Sequence, residues 1–162
     1  LKIAVAEDIA LTADGAESIF VCSVSCIGGT TCQVGTRDSQ GLLAACVEAV
    51  RAADLPDGAL PQMYVSGCMS SCGTHQTGVI GFRGASKLVD KKPQPAFALF
   101  VNGESRQGAE TMGRELGTIL ESEVPAFLVE LGRIVAASGM DFAAWNQANP
   151  DGIERVAEPY LK

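Results

Sequence analysis

The stretch SCIGGTTCQVG at residues 25–35 has a counterpart in SGCMSSCGTHQ at residues 66–76, and each carries two cysteines among small residues. The spacings are Cys26-x5-Cys32 and Cys68-x3-Cys72, with 35 residues between the pairs. Glycine allows backbone N–H groups to approach a charged sulfur without a clash at Cβ. The pattern therefore indicates a site built from four thiolates.

Composition excludes several other classes of protein. The chain has 162 residues, of which 47% are hydrophobic and 19% charged, so it predicts one domain with a substantial core. Its net charge of −7 and its 6% of aromatic residues argue against nucleic acid as a partner. No apolar run approaches the roughly 20 residues that cross a bilayer, so no membrane partner is expected.

The cysteines are expected to be reduced. A chain of this length does not need a disulfide scaffold, and residues 1–10 mix charged with apolar residues, unlike a signal peptide. We therefore predict a cytoplasmic protein whose thiols bind metal.

Two kinds of metal could use the four thiolates. Structural zinc prefers pairs two to four residues apart, which Cys68 and Cys72 satisfy and the wider Cys26–Cys32 pair does not. An iron–sulfur cluster has several iron corners and accepts wider spacing, although the usual ferredoxin spacings are absent. The residues favour a cluster over zinc and leave both open.

Together with GVIGFRG at residues 78–84, the two stretches resemble the iron–sulfur/siroheme domain of nitrite and sulfite reductases, from about Ser18 to near Leu161. The resemblance implies a 4Fe-4S cluster held by Cys26, Cys32, Cys68 and Cys72, with Cys72 also bridging to the siroheme iron as its axial thiolate. It implies multi-electron reduction of sulfite to sulfide or nitrite to ammonia. The sequence departs at residues 69–70, where Met-Ser replaces the Pro-Asn often found in the family.

The length predicts only part of such an enzyme. In this family the side chains that hold the substrate anion come largely from a preceding half of the polypeptide, for which 162 residues leave no room. We therefore expect residues 1–162 to form a single C-terminal half-domain that carries no distal anion-binding catalytic residues and is inactive alone. Its expected partners are the missing N-terminal half, an electron donor protein or flavin/iron–sulfur subunit, and sulfite or nitrite.

Two alternatives to this function stay open. One is a 4Fe-4S electron-transfer module without siroheme. The other is a structural interaction domain that binds zinc or no cofactor at all.

Several further residues have both a functional and a structural interpretation. The single histidine, His75, could contact a siroheme carboxylate or deliver a proton, or it could make an ordinary hydrogen bond. Arg83 and three lysines form the one local basic cluster, which could bind siroheme carboxylates or an acidic donor, or could be solvated loop charge: Lys87, Lys91 and Lys92.

The remaining cysteines and two large aromatic residues are predicted to be structural. Cys46 lies on the apolar face of a predicted helix, and Cys22 is expected to be a buried strand residue. Phe142 and Trp145 are expected in the core or at an interface with the missing half.

The element pattern predicts an α+β fold in which a mixed sheet of about five strands is covered by helices. Both cysteine loops follow strands and are expected to leave the same end of the sheet. Residues 112–120 are ambiguous: propensity favours a helix and the resemblance a strand. Predicted strands are Ser18–Val24, Gln62–Ser66, Gly78–Phe82 and Ala96–Val101, with Met112–Leu120 a strand only by the resemblance. Predicted helices are Arg37–Ala53, Pro125–Ser138, Phe142–Gln147 and Ile153–Leu161.

Overall fold

The structure is a computed structural model that describes residue 20 and residues 22–161. Its strands are β1 (Val24–Ser25), β2 (Met63–Ser66), β3 (Ile80–Val89), β4 (Lys92–Val101) and β5 (Arg114–Leu120). Its α-helices are α1 (Ser39–Ala52), α2 (Val124–Ala137), α3 (Phe142–Ala148) and α4 (Gly152–Leu161). Short 3₁₀ turns lie at His75–Thr77 and Glu121–Glu123.

The five strands form one mixed sheet in the order β1-β2-β3-β4-β5. Strands β1, β2 and β3 are parallel to one another, whereas β4 and β5 continue the sheet antiparallel. The predicted α+β fold is confirmed, and the ambiguous residues 112–120 contain a strand, as the resemblance implies, rather than a helix.

Helix α1 connects the first two parallel strands. Asp38 caps it, because its carboxylate accepts a hydrogen bond from the Gly41 N–H at 3.0 Å. The buried face of the helix includes Leu42, Cys46 and Val50. Cys46 is fully buried, which confirms the prediction that it packs in the core, and burial raises the pKa of its thiol to about 12.

The predicted loop between the third and fourth strands is instead part of a long hairpin. Pairing continues from Ile80↔Val101 to Val89↔Lys92, and Asp90 and Lys91 make the turn with φ of 51° and 64°. In the sequence, the prolines at 93 and 95 indicate a loop rather than a strand. Both prolines lie on a part of β4 that does not pair with β5. On that side of the strand, their missing N–H groups therefore leave no carbonyl oxygen of β5 without a donor.

The lysines of the basic cluster therefore do not lie in the long loop that the sequence predicts. Lys87 and Lys92 lie within strands and Lys91 in the turn. Lys87 Nζ donates to the Tyr160 carbonyl oxygen at 2.9 Å, so it ties the hairpin to α4.

The prediction for the first strand was wrong in its position. Strand β1 begins at Val24, and Ser23 makes a turn by bonding its N–H to the Phe20 carbonyl oxygen at 3.0 Å. Cys22 lies in this turn and is exposed rather than buried. Residues 18, 19 and 21 of the predicted strand lie outside the described residues.

The helices cover an apolar face of the sheet. Phe127 of α2 packs edge-on against Phe82 of β3 and Tyr160 of α4, with ring centroids 6.4 Å and 5.7 Å away. Phe142 and Trp145 are 4% and 5% exposed and join this core, as predicted. Within the described part of the chain, no helix is long and apolar enough to cross a membrane.

Candidate functional site

Parallel pairing brings the two cysteine loops together. In the β1–β2 register, Ser25 lies opposite Val65, so Cys26 and Cys68 follow neighbouring strands at the same end of the sheet. The Cys26 N–H continues the pairing by donating to the Val65 carbonyl oxygen at 3.0 Å. The expectation that both loops leave the same end of the sheet is therefore confirmed.

All four motif cysteines line one cavity of about 290 Å³. Its other walls are the small and apolar residues of the two loops: Ile27, Gly28, Val34, Gly35, Ser66, Gly67 and Ser70. Within the described residues, no three or more His, Cys, Asp or Glu side chains form a group that could hold a single metal ion. The thiols thus surround a volume rather than meeting at a point.

The Gly67 carbonyl oxygen joins the two loops. It accepts hydrogen bonds from the backbone N–H groups of Thr36 and Arg37, at 3.1 and 3.0 Å, and from the Thr36 hydroxyl at 2.7 Å. Gly67 directly precedes Cys68, whereas Thr36 and Arg37 close the loop that carries Cys32. These three bonds fix the second cysteine pair relative to the first.

Two glycines are required where the loops touch. Gly28 has φ of 74°, and a Cβ there would lie 2.9 Å from the backbone nitrogen of Ser39. A Cβ on Gly67 would lie 2.7 Å from the Arg37 carbonyl oxygen and 3.6 Å from Cys26 Sγ. Because neither residue has a side chain, the backbones of the two loops can pack closely together beside the Cys26 sulfur.

Cys26 is the most strongly hydrogen-bonded thiol of the site. Its Sγ accepts from the Gly67 N–H at 3.1 Å and lies 3.2 Å from the hydroxyl oxygen of Ser39. Desolvation by itself raises the pKa of this thiol, but hydrogen bonds from the Ser39 hydroxyl and from backbone N–H groups, including that of Gly67, outweigh it, so its pKa lies below 9. The site therefore favours a thiolate at Cys26, the form that binds metal.

Replacing the Ser39 hydroxyl tests this arrangement. We expect Ser39→Ala to raise the pKa of Cys26, because the Ser39 hydroxyl, which donates to the Cys26 carbonyl oxygen at 2.9 Å, can instead turn its proton to the thiolate 3.2 Å away, and the variant lacks this donor. A higher pKa lowers the thiolate fraction, by at most about tenfold for each unit of increase. Alkylation of Cys26 at pH 8, followed residue by residue by mass spectrometry in metal-free protein, should slow. Buried Cys46 serves as the unreactive reference, and an unchanged Cys26 rate would contradict the role given to Ser39.

The second cysteine loop has an unusual backbone. Ser71 and Thr74, on either side of Cys72, have φ of 59° and 49°, in the left-handed region that non-glycine residues rarely adopt. Cys72 is exposed, Cys68 is partly buried, and the neighbouring Met69 is 79% exposed. Cys72 therefore presents its sulfur at the outer edge of the cavity.

His75 and Arg83 lie behind this loop. His75 is 1% exposed, and its ring packs edge-on against Phe100 with centroids 4.7 Å apart. Arg83 lies over the same ring at 5.2 Å, and its Nη2 contacts Glu115 Oε2 at 3.2 Å. A contact of either side chain with a siroheme carboxylate stays a prediction.

Buried polar side chains mark the site in a way that the sequence does not. Among the residues described, Ser39, Ser66 and His75 are the buried polar ones, and all three contact the cysteine loops. In the sequence, Ser39 is only a residue within the predicted helix Arg37–Ala53, and Ser66 only the last residue of the predicted strand Gln62–Ser66. Ser66 adjoins the second cysteine pair in the sequence, which is a signal for the site, but the direction in which its side chain points depends on the fold.

The site is thus a four-cysteine cavity at one end of a mixed α+β sheet. The same fold occurs in the solved structure of the Mycobacterium tuberculosis NirA protein, with a TM-score of 0.67 over 93% of this chain at 20% sequence identity. The chain spans 29% of the NirA chain. At this identity the likeness establishes the fold. No protein-family model and no curated protein sequence matches the chain.

Proposed function

We propose that this chain is the cluster- and siroheme-binding half of a reductase that reduces sulfite to sulfide or nitrite to ammonia. The observation that carries the proposal is that the four motif cysteines, 46 positions apart at their extremes, line one cavity. The fold shared with NirA supports it, because the resemblance implies this α+β architecture.

The cavity fits a cluster better than a zinc ion. A tetrahedral zinc site needs its sulfurs about 2.3 Å from one point, whereas a 4Fe-4S cluster offers a separate iron corner to each thiolate. The four thiols surround a cavity of about 290 Å³, and the backbone N–H of Gly67 already donates to a sulfur. N–H donors to sulfur are among the groups that set cluster potential.

Cys72 suits the bridging role that the resemblance implies. It is exposed at the edge of the cavity, so its sulfur can face both the cavity and a group bound outside it. Siroheme, when bound, supplies an iron that takes the substrate anion and receives electrons from the cluster. The exposed apolar side chains of Ile27, Val34 and Met69 surround the cysteines and could cover one face of a macrocycle.

His75 and Arg83 have less direct support as siroheme contacts. Arg83 keeps a partly exposed guanidinium that could pair with a carboxylate. His75 is buried within the protein, so a siroheme carboxylate would need a path through the protein to reach its ring. In this proposal the preceding half of the enzyme, an electron donor and the anion itself complete the active site, since the chain spans 29% of NirA.

Anaerobic purification followed by analysis of iron, acid-labile sulfide and zinc tests the proposal. We expect about four iron and four sulfide per chain, and loss of most of both in Cys68→Ser. Cys46→Ala is the matched control, because Cys46 is buried away from the cavity and should leave the metal content unchanged. Stoichiometric zinc, or no metal after anaerobic reconstitution, would contradict the proposal and indicate a structural domain.

Adding siroheme to the cluster-loaded protein separates the reductase half from an electron carrier. A bound chlorin absorption spectrum is expected for the wild-type chain. Intact cluster without siroheme binding would favour the electron-transfer alternative.

A further inference from the structure

The base of the second cysteine loop is closed by a buried hydrogen-bond network. Ser66, just before the loop, accepts from the Gly73 N–H at 3.1 Å and lies 2.9 Å from His75 Nδ1. Ser71 lies 3.3 Å from the same Nδ1, and its hydroxyl donates to Gln76 Oε1. The network therefore connects residues on both sides of the Cys68–Cys72 segment.

The hydrogen count assigns the roles of these atoms. Ser66 Oγ accepts from the Gly73 N–H, and its own proton has His75 Nδ1 as its available acceptor. The Ser71 proton is directed to Gln76. Nδ1 of His75 is therefore an acceptor, and the imidazole is neutral with its proton on Nε2. Burial lowers the pKa of His75 to about 4, which agrees with a neutral ring.

Two further contacts hold His75 in place. Phe100 packs against its ring, and Gly81 lies so close to its backbone that a Cβ there would overlap the His75 carbonyl oxygen. The Nε2 atom is buried without a hydrogen-bond partner in the described part of the chain, and an unpaired buried polar atom destabilises the folded state. The one hydrogen bond that the ring makes among the described residues, from the Ser66 hydroxyl to Nδ1, is at the loop.

The loop needs such support because its backbone is strained. Ser71 and Thr74 both have positive φ, and conformations of this kind persist where surrounding contacts hold them. We propose that His75 and Ser66 form a positioning pair that holds the Cys68–Cys72 loop in its metal-binding conformation. His75 would then control cluster binding without touching the cluster, an inference that rests on the proposed function.

Two substitutions separate the hydrogen bond from the packing of the ring. His75→Asn keeps an acceptor near the position of Nδ1 but removes most of the ring. His75→Leu keeps much of the volume and removes the acceptor. Val135→Ala, in the core of α2, is the control for a general loss of stability.

The first readout needs no metal. Hydrogen exchange of the Gly73 amide, measured by NMR in metal-free protein against the Leu128 amide of α2, reports on the bond to Ser66. We expect His75→Leu to speed Gly73 exchange at least about tenfold relative to Leu128, His75→Asn to stay near wild type, and Val135→Ala to leave the ratio unchanged. Equal exchange in the Leu and Asn variants, or an unchanged ratio in His75→Leu, would overturn the positioning pair.

The second readout uses cluster-loaded protein. Iron loss to a chelator should be about tenfold faster in His75→Leu, as for other residues that orient metal ligands, and close to wild type in His75→Asn. Equal rates in these two variants would overturn the inference. Failure of wild-type protein to bind iron would refute the proposed function instead, and the exchange measurement would still decide whether His75 holds the loop.

Discussion

Gly84→Ala is expected to destabilise the protein by at least about 4 kcal/mol, and to prevent folding if the wild-type chain is only marginally stable. A Cβ at this position in β3 would overlap the Gly67 carbonyl oxygen and lie 2.7 Å from its carbon and 3.0 Å from Arg37 Cβ. Both obstructing groups adjoin the cysteine loops, and the first is backbone, which cannot rotate away.

The same substitution should separate the two halves of the cysteine site. The Gly67 oxygen accepts the three hydrogen bonds from Thr36 and Arg37, and its displacement would lengthen all of them. Each buried polar group left unpaired costs about 1–3 kcal/mol. Urea unfolding of metal-free protein measures the loss, and the residual iron content measures the effect on the site.

Gly108→Ala is the matched control. Gly108 has φ of 83°, but a Cβ there meets nothing within 4 Å, so only the backbone penalty of about 1–2 kcal/mol is expected. If Gly84→Ala cost no more than Gly108→Ala, the close approach of β3 to Gly67 would not be what limits this position.

Acidification should remove about 3 kcal/mol of stability through His75 alone. Burial, with a smaller contribution from the nearby Arg83 charge, lowers the pKa of His75 in the folded protein to about 4, against 6.5 when solvated. Above pH 6.5 the ring is neutral in both states and its contribution is complete. Between pH 6.5 and 4 the unfolded state takes up a proton that the folded state does not, so the free energy of unfolding falls.

The assignment is unambiguous because His75 is the single histidine. Urea unfolding at intervals from pH 7.5 to 4, compared between wild type and His75→Asn, isolates its share from that of the carboxylates. The difference between the two proteins should shrink as the pH falls. A constant difference over this range would show that the imidazole titrates alike in the folded and unfolded states.

Local pattern determined much of the fold. Helix α1, the strand before the second cysteine pair and the buried Cys46 all follow from periodicity within a short stretch of chain, whereas the strand before the first pair begins later than predicted. The hairpin did not follow, because prolines at 93 and 95 are read as loop residues. The two prolines fit in β4 because β5 ends before it reaches them, and the end of β5 is not visible in the sequence around the prolines.

The sequence by itself determined which cysteines belong together, since spacing and glycine content are written along the chain. The tertiary structure decided that they share a cavity, because the parallel register of β1 and β2 places Cys26 and Cys68 at one end of the sheet. It also decided that Cys22 is exposed and that Ser39, Ser66 and His75 are buried beside the loops. Burial and hydrogen-bond direction arise from contacts between distant segments, which a linear pattern does not record.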